Sequence, residues 1–412
     1  MPISEKEGLY EHAGFLGLRN TVPSDRFGLG DLEAAQNVDI DDSQRVARRY
    51  GHGAAVVSGA CRSLWSDGLT ALVVRNDTTL VQILPDYTLR TLRTGLTPGL
   101  DMSFEALAAR VYYSNGMETG VIEGGRSRSW GLEIPGVPTA TTAGGVLPAG
   151  RYQFAVTHLR SDGQESGSSR AGIIALSDIG GISLSGITVS SDPDVSEAAI
   201  YFSKRDGEMP ALFRAGIIPN GNTTFSYQIE ASMQIPLRTQ HFRPPPAGQF
   251  VDTINGRTLV AKGDTLYYSE PYAPELFDLR KNFRFAGPIV MVAALDSGVY
   301  VGTEARVIWL DGKTPEDWAY SERLMYGAVR GAVTKTSRDL VLDGQGVKRV
   351  AVFATKQGIC VGEDGGGIIN LTRERYAYPI QDKGAVVVRQ HRGLVQCLTA
   401  LQGAEVAGNA SS

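Results

Sequence analysis

The chain has 412 residues, a net charge of −4 and 42% hydrophobic residues, which is enough apolar material for two or three folded domains. The slightly acidic balance, without a basic cluster, argues against a nucleic-acid-binding surface. Three widely spaced cysteines (Cys61, Cys360 and Cys397) exclude a C-x-x-C motif, and no apolar run reaches the about 18 residues that cross a membrane, so no membrane insertion is expected. The 49 glycines indicate many tight turns, as an all-β protein needs.

The first fifty residues predict an irregular arm followed by a hairpin. Residues 1–33 alternate too little for strands, and we expect an arm that lies on another surface. Residues 36–49 lack glycine and proline, which also fits a helix. Alternation on both sides of a polar turn at 41–44 favours a hairpin within residues 34–51.

Residues 34–133 are predicted to form the first part of a β-propeller. Short apolar strands are divided there by Asp67-Gly68 and Asn115-Gly116. Such pairs between apolar runs are strong hairpin signals. The strand count is that of two propeller blades.

The composition changes near residue 134. Residues 134–243 predict about seven short strands, which fits an inserted fibronectin/immunoglobulin-like β-sandwich without its disulfide. Three consecutive prolines at 244–246 read as a stiff exit from this domain. Alternation places five apolar side chains in its core: Tyr152, Phe154, Val156, Ile200 and Phe202.

Residues 244–400 resume the hairpin pattern and predict the second part of the propeller, with 401–412 as a flexible tail. Hairpin clusters recur roughly every 30 to 50 residues, as in radially arranged sheets. We therefore predict an all-β fold in which a propeller of about five to seven blades is interrupted by the sandwich. Closure would pair the 34–51 hairpin with residues 384–400. The best helical candidates, 272–281 and 314–320, are short.

Motif searches assign no catalytic, cofactor-binding or metal-binding residue. The Gly-Lys-Thr at 312–314 lacks the earlier glycine of a P-loop, because position 307 is Val. Asp39, Asp41 and Ser43 start like a calcium loop, but Gln44 and Tyr50 stand where it needs glycine and a carboxylate. Glu363 and Asp364 lie in a glycine-rich segment, for which a hairpin tip is favoured over a metal site.

The histidines are not at metal-ligand spacing, and H-E-x-x-H and G-x-S-x-G are absent. These histidines are His12, His52, His158, His241 and His391. A Ser-His-Asp triad or a carboxylate pair stays open, since its members meet only in space. The prediction is a protein that is not an enzyme and has no cofactor.

Several tyrosines could stack on sugar rings or bases, although packing is the ordinary role of such residues. Adjacent strand residues face opposite ways, so one of Tyr267 and Tyr268 should enter a core. The candidates are Tyr267, Tyr268, Tyr272, Tyr376 and Tyr378.

Ordered motifs along the chain resemble a known family. The first are Gly17-Leu18-Arg19-Asn20-Thr21, Ala35-x-Asn37-Val38-Asp39-Ile40-Asp41 and Arg45-Val46-x-Arg48-Arg49-Tyr50-Gly51-His52; later ones are Leu266-Tyr267-Tyr268-Ser269-Glu270-Pro271, Val301-Gly302-Thr303, Tyr326-Gly327-Ala328-Val329-x-Gly331, Gly358-Ile359 and Asn370-Leu371-Thr372. Together they resemble the propeller-type tail nozzle proteins (tail tubular protein B) and head–tail stabilisation proteins of short-tailed bacteriophages. The resemblance covers about residues 17–133 and 247–400. The turn near Ser43-Gln44 lacks the family's glycine, and the family's proline is absent near Tyr50.

The resemblance implies a virion structural protein that is assembled in the bacterial cytoplasm and located in the tail or neck. Such proteins form homo-oligomeric rings, usually hexamers, that contact the portal adaptor and other neck and tail proteins. They extend the DNA channel, retain the packaged genome with transient, non-specific contacts to genomic dsDNA, and gate its ejection. Acidic loops at 39–42, Asp343 and 363–364 are then candidates for a phosphate-repelling channel wall.

Two alternatives remain open at the level of the sequence. Within the same class, the chain would be a neck stopper that seals the portal. From another class, it would be a propeller that binds or hydrolyses host-surface glycans, as a receptor-binding or tailspike-like protein does.

Overall fold

The computed structural model describes residues 14–41, 43–49, 53–207, 211–230, 235–342, 348–378, 381–391 and 394–402. Regular structure in these residues is almost entirely β, and the helical segments among them are three single 3-10 turns: Ser24–Arg26, Pro315–Asp317 and Arg338–Leu340. The chain divides into two compact units. A central unit comprises Gly59–Arg284, and a terminal unit combines Met1–Ser58 with Phe285–Ser412.

The terminal unit begins with two small sheets. Their strands are β1 (Gly17–Leu18), β2 (Asp31–Leu32), β3 (Val38–Ile40) and β4 (Val46–Arg48). β1 and β2 are parallel, whereas β3 and β4 form an antiparallel hairpin. The hairpin expected within residues 34–51 is confirmed.

Two four-stranded antiparallel sheets follow in the central unit, and we name them the first and second blades. Gly68 and Gly116, in the turns identified from the sequence, have the positive φ that such turns use. Their strands are β5 (Cys61–Ser66), β6 (Ala71–Arg75), β7 (Thr79–Ile83) and β8 (Leu89–Arg93), then β9 (Ser103–Leu107), β10 (Arg110–Ser114), β11 (Thr119–Glu123) and β12 (Arg126–Arg128).

Residues 139–227 form two sheets that share one hydrophobic core, and we name them the two-sheet domain. All five side chains predicted for the core, Tyr152, Phe154, Val156, Ile200 and Phe202, are buried. The strands are β13 (Thr139–Leu147), β14 (Gly150–Arg160), β15 (Gly172–Leu176), β16 (Gly180–Ser185), β17 (Val195–Ser203), β18 (Leu212–Pro219) and β19 (Thr224–Tyr227).

The strand order of the two-sheet domain corrects one expectation. The orders are β13-β16-β19 and β15-β14-β17-β18, so the first strand pairs with the fourth. In an immunoglobulin domain the first strand pairs with the second. The two-sheet domain therefore does not have the strand order of the predicted fibronectin/immunoglobulin-like sandwich. The chain crosses between sheets at Pro148, which has no N–H to donate across a hairpin.

The third blade completes the central unit with β20 (Phe250–Ile254), β21 (Arg257–Lys262), β22 (Thr265–Glu270) and β23 (Ala273–Arg284). The short helix predicted at 272–281 is wrong, because nearly all of this segment lies in β23. Phe277 is fully buried, pairs with Ser269 of β22 and exchanges backbone hydrogen bonds with Arg243. Sheet pairing and burial override the local helical preference.

The first strands of the three central blades run side by side in the same direction. Between the first and second blades, Met102 N donates to Ser63 Oγ at 2.9 Å and the rings of Trp65 and Phe104 lie 5.8 Å apart. Between the second and third, the contacts are Ser103 Oγ with Val251 N (3.0 Å) and Glu105 with Thr253 Oγ1 (3.1 Å). Equivalent turns of these blades therefore lie at the same end, as in a propeller.

The terminal unit holds the fourth and fifth blades and a final hairpin. The fourth blade has β24 (Ile289–Ala294), β25 (Gly298–Thr303), β26 (Val307–Asp311) and β27 (Ala319–Leu324). The fifth has β28 (Ala328–Ser337), β29 (Arg349–Thr355), β30 (Gly358–Gly362) and β31 (Ile368–Asn370); the final hairpin is β32 (Lys383–His391) with β33 (Leu394–Gln402). Tyr300, Trp309 and Phe353 lie in the core that these two blades share.

The predicted closure of the 34–51 hairpin against 384–400 is wrong for the described residues. β3 and β4 form their own two-stranded sheet, and the final hairpin extends the fifth blade in the order β31-β30-β29-β28-β32-β33. β32 lies on the edge of β28 opposite β29 and pairs with it in parallel at Arg330 and Lys383. Five sheets among the described residues have the four-strand meander of a blade, so the all-β, propeller-type fold class is confirmed.

Candidate functional site

A buried carboxylate fastens the N-terminal arm to a distant part of the terminal unit. The Asp31 side chain is 1% exposed and accepts hydrogen bonds from Arg19 (2.9 Å), Arg375 (2.5 Å) and the Gly28 N–H (3.0 Å). These donors, led by Arg19, lower the pKa of Asp31 from 3.8 to about 2. At neutral pH the carboxylate is ionised and joins two arginines that are far apart in the sequence. We call this group, with Asn20 and Thr21, the arm latch.

Two further residues of the arm extend the latch. Asn20 donates from its side chain to the Ala377 carbonyl at 2.6 Å and accepts from the Ala377 N–H at 2.7 Å. Thr21 Oγ1 donates to the Glu374 carbonyl at 2.7 Å. The expected arm on another surface is therefore present for residues 14–32, although the expectation that it holds no strands is wrong, since β1 and β2 lie within it. Residues 1–13 lie outside the described part of the chain.

The segment that receives the arm is itself shaped by motif residues. Asn370 Oδ1 accepts the N–H groups of Thr372 and Arg373, and Thr372 Oγ1 accepts the N–H of Ile359 at 2.9 Å. Gly358 has φ +135° and lies so close to Asn370 and Thr372 that any side chain there would collide with them. Three motifs that the sequence separates, at 17–21, 358–359 and 370–372, are thus brought together.

Sequence reasoning did not single out Asp31 or Arg375. The arginine is 344 positions from the aspartate, and neither stands in a motif whose spacing indicates a contact. The sequence indicated only one member of this contact, Arg19, which lies in the Gly17–Thr21 motif. It did not indicate which residues Arg19 contacts.

The acidic loops expected to line a channel are engaged in local contacts. Asp39 pairs with Arg49 at 3.0 Å, and Asp41 accepts the N–H of Arg45 at 2.8 Å, which is the polar turn favoured over a calcium loop. Glu363 pairs with Arg338 at 2.9 Å. Two of these carboxylates, Asp39 and Glu363, are therefore paired with arginine, and Asp42 and Asp343 lie outside the described residues.

The glycine-rich segment 362–367 is a structural turn between β30 and β31. The Tyr300 hydroxyl lies 2.8 Å from both the Glu363 and the Gly367 carbonyls, and burial raises the pKa of this phenol. Asp364 accepts from the Ser297 N–H and hydroxyl, at 2.8 and 2.7 Å. A cavity of about 230 Å³ lies beside the turn, lined by Arg338, Lys348, Val350, residues 363–365 and Gly367.

An ion-pair network joins the second blade to the two-sheet domain within the central unit. Arg128 of the blade contacts Glu123 and, at 3.1 Å, Asp162 of the two-sheet domain. Arg160, whose side chain is 1% exposed, donates to the Ser129 carbonyl and lies 3.5 Å from Asp192. Buried charges need such partners, so this junction is specified in detail.

The remaining candidate residues are the histidines and the Gly-Lys-Thr at 312–314. His158 is buried, with its ring nitrogens each 3.0 Å from a backbone carbonyl, of Glu133 and Thr188. At 312–314, the Thr314 hydroxyl bonds Asp317 at the start of a 3-10 turn, so no long helix faces phosphate. His241 lines a second cavity of about 230 Å³ with Arg243, Asp278 and Arg280; His391 ends β32, and His12 and His52 lie outside the described residues.

The tyrosines divide as alternation predicts. Tyr268 is buried beside Arg257, whereas Tyr267 is half-buried. Tyr272 is 88% exposed, and Tyr87, at the equivalent turn of the first blade, is 65% exposed; both have positive φ, which is uncommon for a bulky residue. Tyr376 lies at the surface, and the Tyr378 hydroxyl bonds the Thr355 carbonyl.

Two features are absent from the described part of the chain. No group of three or more His, Cys, Asp or Glu side chains there is arranged to hold a metal ion. None of the helices in that part has the length and apolar character needed to cross a membrane.

Comparison with known proteins gives similarity of fold only. No family model and no curated protein matches the chain. Among solved structures, it is similar to the Pan2 WD40 domain of Neurospora crassa (9% identity, 75% of this chain and 76% of that chain, TM-score 0.32) and to BBS1N in complex with ARL6DN (10%, 84% and 94%, 0.33). It is also similar to the computationally designed Ika8 protein (10%, 82% and 96%, 0.26). Likeness at these TM-scores carries no argument about function.

Proposed function

We propose that this chain is a structural protein of a tailed-phage virion that forms a nozzle ring in the tail or neck. In this role it extends the DNA channel, retains the packaged genome and gates its ejection. Its partners are further copies of itself, most simply six in a ring, together with the portal adaptor and neighbouring tail proteins. Genomic dsDNA touches the ring transiently and without sequence preference.

One observation supports this proposal above the others. Three of the eight motifs that resemble nozzle and head–tail stabilisation proteins lie in one region of the terminal unit: the motif at 17–21 bonds the segment 374–377, which directly follows the 370–372 turn, and that turn bonds Ile359 of the motif at 358–359. Motifs that form one contact in the folded protein are expected to be present in the same chain even when many residues separate them. The latch also fixes the arm onto the segment that follows the last strand of the fifth blade.

The test is the assembly state of the purified chain. We expect ring-shaped particles with a central opening in negative-stain images, and phage particles lacking the protein should lose their packaged DNA. A protein that stays monomeric at all concentrations, or DNA-filled particles that are stable without it, would contradict the proposal. Six-fold class averages would support the nozzle, whereas density that closes the opening would support a neck stopper.

A second candidate, a host-surface glycan-binding propeller, is favoured by the two exposed tyrosines. Tyr87 and Tyr272 occupy equivalent turns of the first and third blades, at the same end of the central unit. Aromatic faces held away from any core are suited to stacking on sugar rings. Glycan-array binding that is lost on Tyr272→Ala would support this candidate, and an array without signal would exclude it.

A further inference from the structure

A buried histidine holds the segment through which the chain enters the two-sheet domain. We call residues 129–138, between β12 and β13, the entry segment. The His158 ring is 1% exposed; its Nδ1 lies 3.0 Å from the Glu133 carbonyl oxygen, and its Nε2 lies 3.0 Å from the Thr188 carbonyl oxygen. The Thr188 hydroxyl accepts the N–H of Gly136 at 3.0 Å. His158 and Thr188 thus fasten the entry segment, and we call this contact the entry clamp.

The two acceptors of the entry clamp decide how many protons the ring must carry. A backbone carbonyl oxygen can only accept a hydrogen bond, so each ring nitrogen must donate. A neutral imidazole has a single N–H, and its other nitrogen would present a lone pair to a carbonyl oxygen 3.0 Å away. Reversing the ring would leave both carbonyls facing weak C–H donors. Only the imidazolium, with an N–H on both nitrogens, satisfies both carbonyls.

The charged groups around the entry clamp have the sign that a buried cation requires. Arg160, the base that β14 contributes at this end of the domain, lies 3.5 Å from Asp192. Asp162 and Asp194 pair with arginines of the second blade, at 3.1 and 3.4 Å. The surrounding segments also carry three further acidic side chains: Glu133, Glu165 and Glu197. The balance of charge is negative, which favours the charged over the neutral form of a histidine.

We propose that His158 is a doubly protonated imidazolium in the folded protein, and that loss of its second proton to solvent breaks the entry clamp and loosens the attachment of the two-sheet domain to the second blade. Deprotonation removes one N–H, so one carbonyl then faces a nitrogen lone pair and must move away from the ring. The clamp is made where the ring holds both protons, and it is lost as the pH rises and the second proton leaves. Histidine is the side chain that changes its charge near physiological pH, so this junction responds to small changes in pH.

The protonation state is tested by nuclear magnetic resonance of the full chain labelled with ¹⁵N in histidine. At about pH 6, both ring nitrogens of His158, assigned through their bonds to its backbone, should have the chemical shifts of protonated nitrogen. His241, which is exposed, is the reference within the same chain and should reach the neutral form at a lower pH than His158 does. An unprotonated ring nitrogen in His158 at every pH at which the protein is folded would overturn the proposal.

Hydrogen exchange tests the release of the entry segment. Protection of the Gly136 amide, corrected for the intrinsic pH dependence of exchange, should fall at least about tenfold between about pH 6 and about pH 9, which corresponds to one lost charge-assisted hydrogen bond. Amides of β10 in the second blade are the control and should keep their protection. Gly136 protection that does not change with pH would overturn the proposal.

His158→Phe provides a second, independent comparison. The substitution retains a planar ring but removes both N–H donors, so protection of the Gly136 amide should be low at both pH values. A folded variant that protects this amide as the unmodified chain does at about pH 6 would overturn the role of His158. Both measurements on the unmodified chain test the proposal whether or not this variant folds.

Discussion

Asp31 supplies the buried carboxylate with which both arginines of the arm latch pair. Its folded pKa is depressed to about 2, below the ordinary 3.8. A carboxyl whose pKa is lower in the folded than in the unfolded protein stabilises the fold at pH values above its unfolded-state pKa. This stabilisation is lost as the pH falls through its folded-state pKa. The latch should therefore be at full strength above about pH 5 and weaken between about pH 4 and pH 2.

The prediction is tested with Asp31→Asn. Urea midpoints of the unmodified chain should exceed those of the variant by a constant amount near neutral pH, and the gap should close as the pH approaches 2. Asp25→Asn, in the exposed 3-10 turn of the same arm, is the control and should show no such gap. A difference that persists unchanged at pH 2 would mean that Asp31 does not act through its charge.

Substitution of Tyr300 measures how much its hydroxyl stabilises the turn at 362–367. Its hydroxyl is the donor that reaches the Glu363 and Gly367 carbonyls, inside a fully buried environment. Tyr300→Phe should lower the free energy of unfolding by about 1–3 kcal/mol, because buried acceptors lose their donor. Tyr320→Phe makes the same chemical change at a position 57% exposed and should stay within about 0.5 kcal/mol. Equal effects of the two substitutions in chemical denaturation would contradict this assignment.

Among elements, the contact between the second and third blades is informative because the two-sheet domain separates them in sequence. Ser114 Oγ donates to the Gly248 carbonyl at 2.6 Å and accepts the Gly248 N–H at 3.1 Å, and Ser114 is fully buried. Ser114→Ala leaves both backbone groups without this partner and should cost about 1–3 kcal/mol. The exposed Ser66→Ala is the control, and melting curves that do not separate the two variants would contradict the prediction.

The elements differ in how far the sequence determined them. Hairpins marked by Asp67-Gly68 or Asn115-Gly116 were predictable, because a positive φ in a tight turn restricts the residue types at that position. β23 was not, because its pairing with β22 and its contact with Arg243 depend on residues distant in sequence. The arm latch was unpredictable for the same reason: its carboxylate and second arginine meet only in the folded chain.

At the scale of the whole molecule, the two-sheet domain enters and leaves the blades at adjacent points. Gly131 lies against Pro244 and Pro245, so closely that an added side-chain carbon would be within 3 Å of both. Replacing residues 134–242 with a short Gly-Ser linker keeps the backbone pairing of Arg243 with Phe277 and should therefore leave the blades folded, with Trp130 still donating to the Pro274 carbonyl. Near-UV circular dichroism of the shortened chain should retain a tryptophan signal with a cooperative transition, and its loss would show that the insertion is required for folding.

The two ends of the arm latch are synthesised at different times, because they lie far apart in the sequence. Asp31 leaves the ribosome 344 residues ahead of Arg375, which at ordinary elongation speeds is a delay of roughly 20 to 70 seconds. The central unit is complete within that interval, whereas the arm waits without its receiving segment. Nascent chains stalled before residue 375 should therefore expose the arm to proteases, and release of the full chain should bury it.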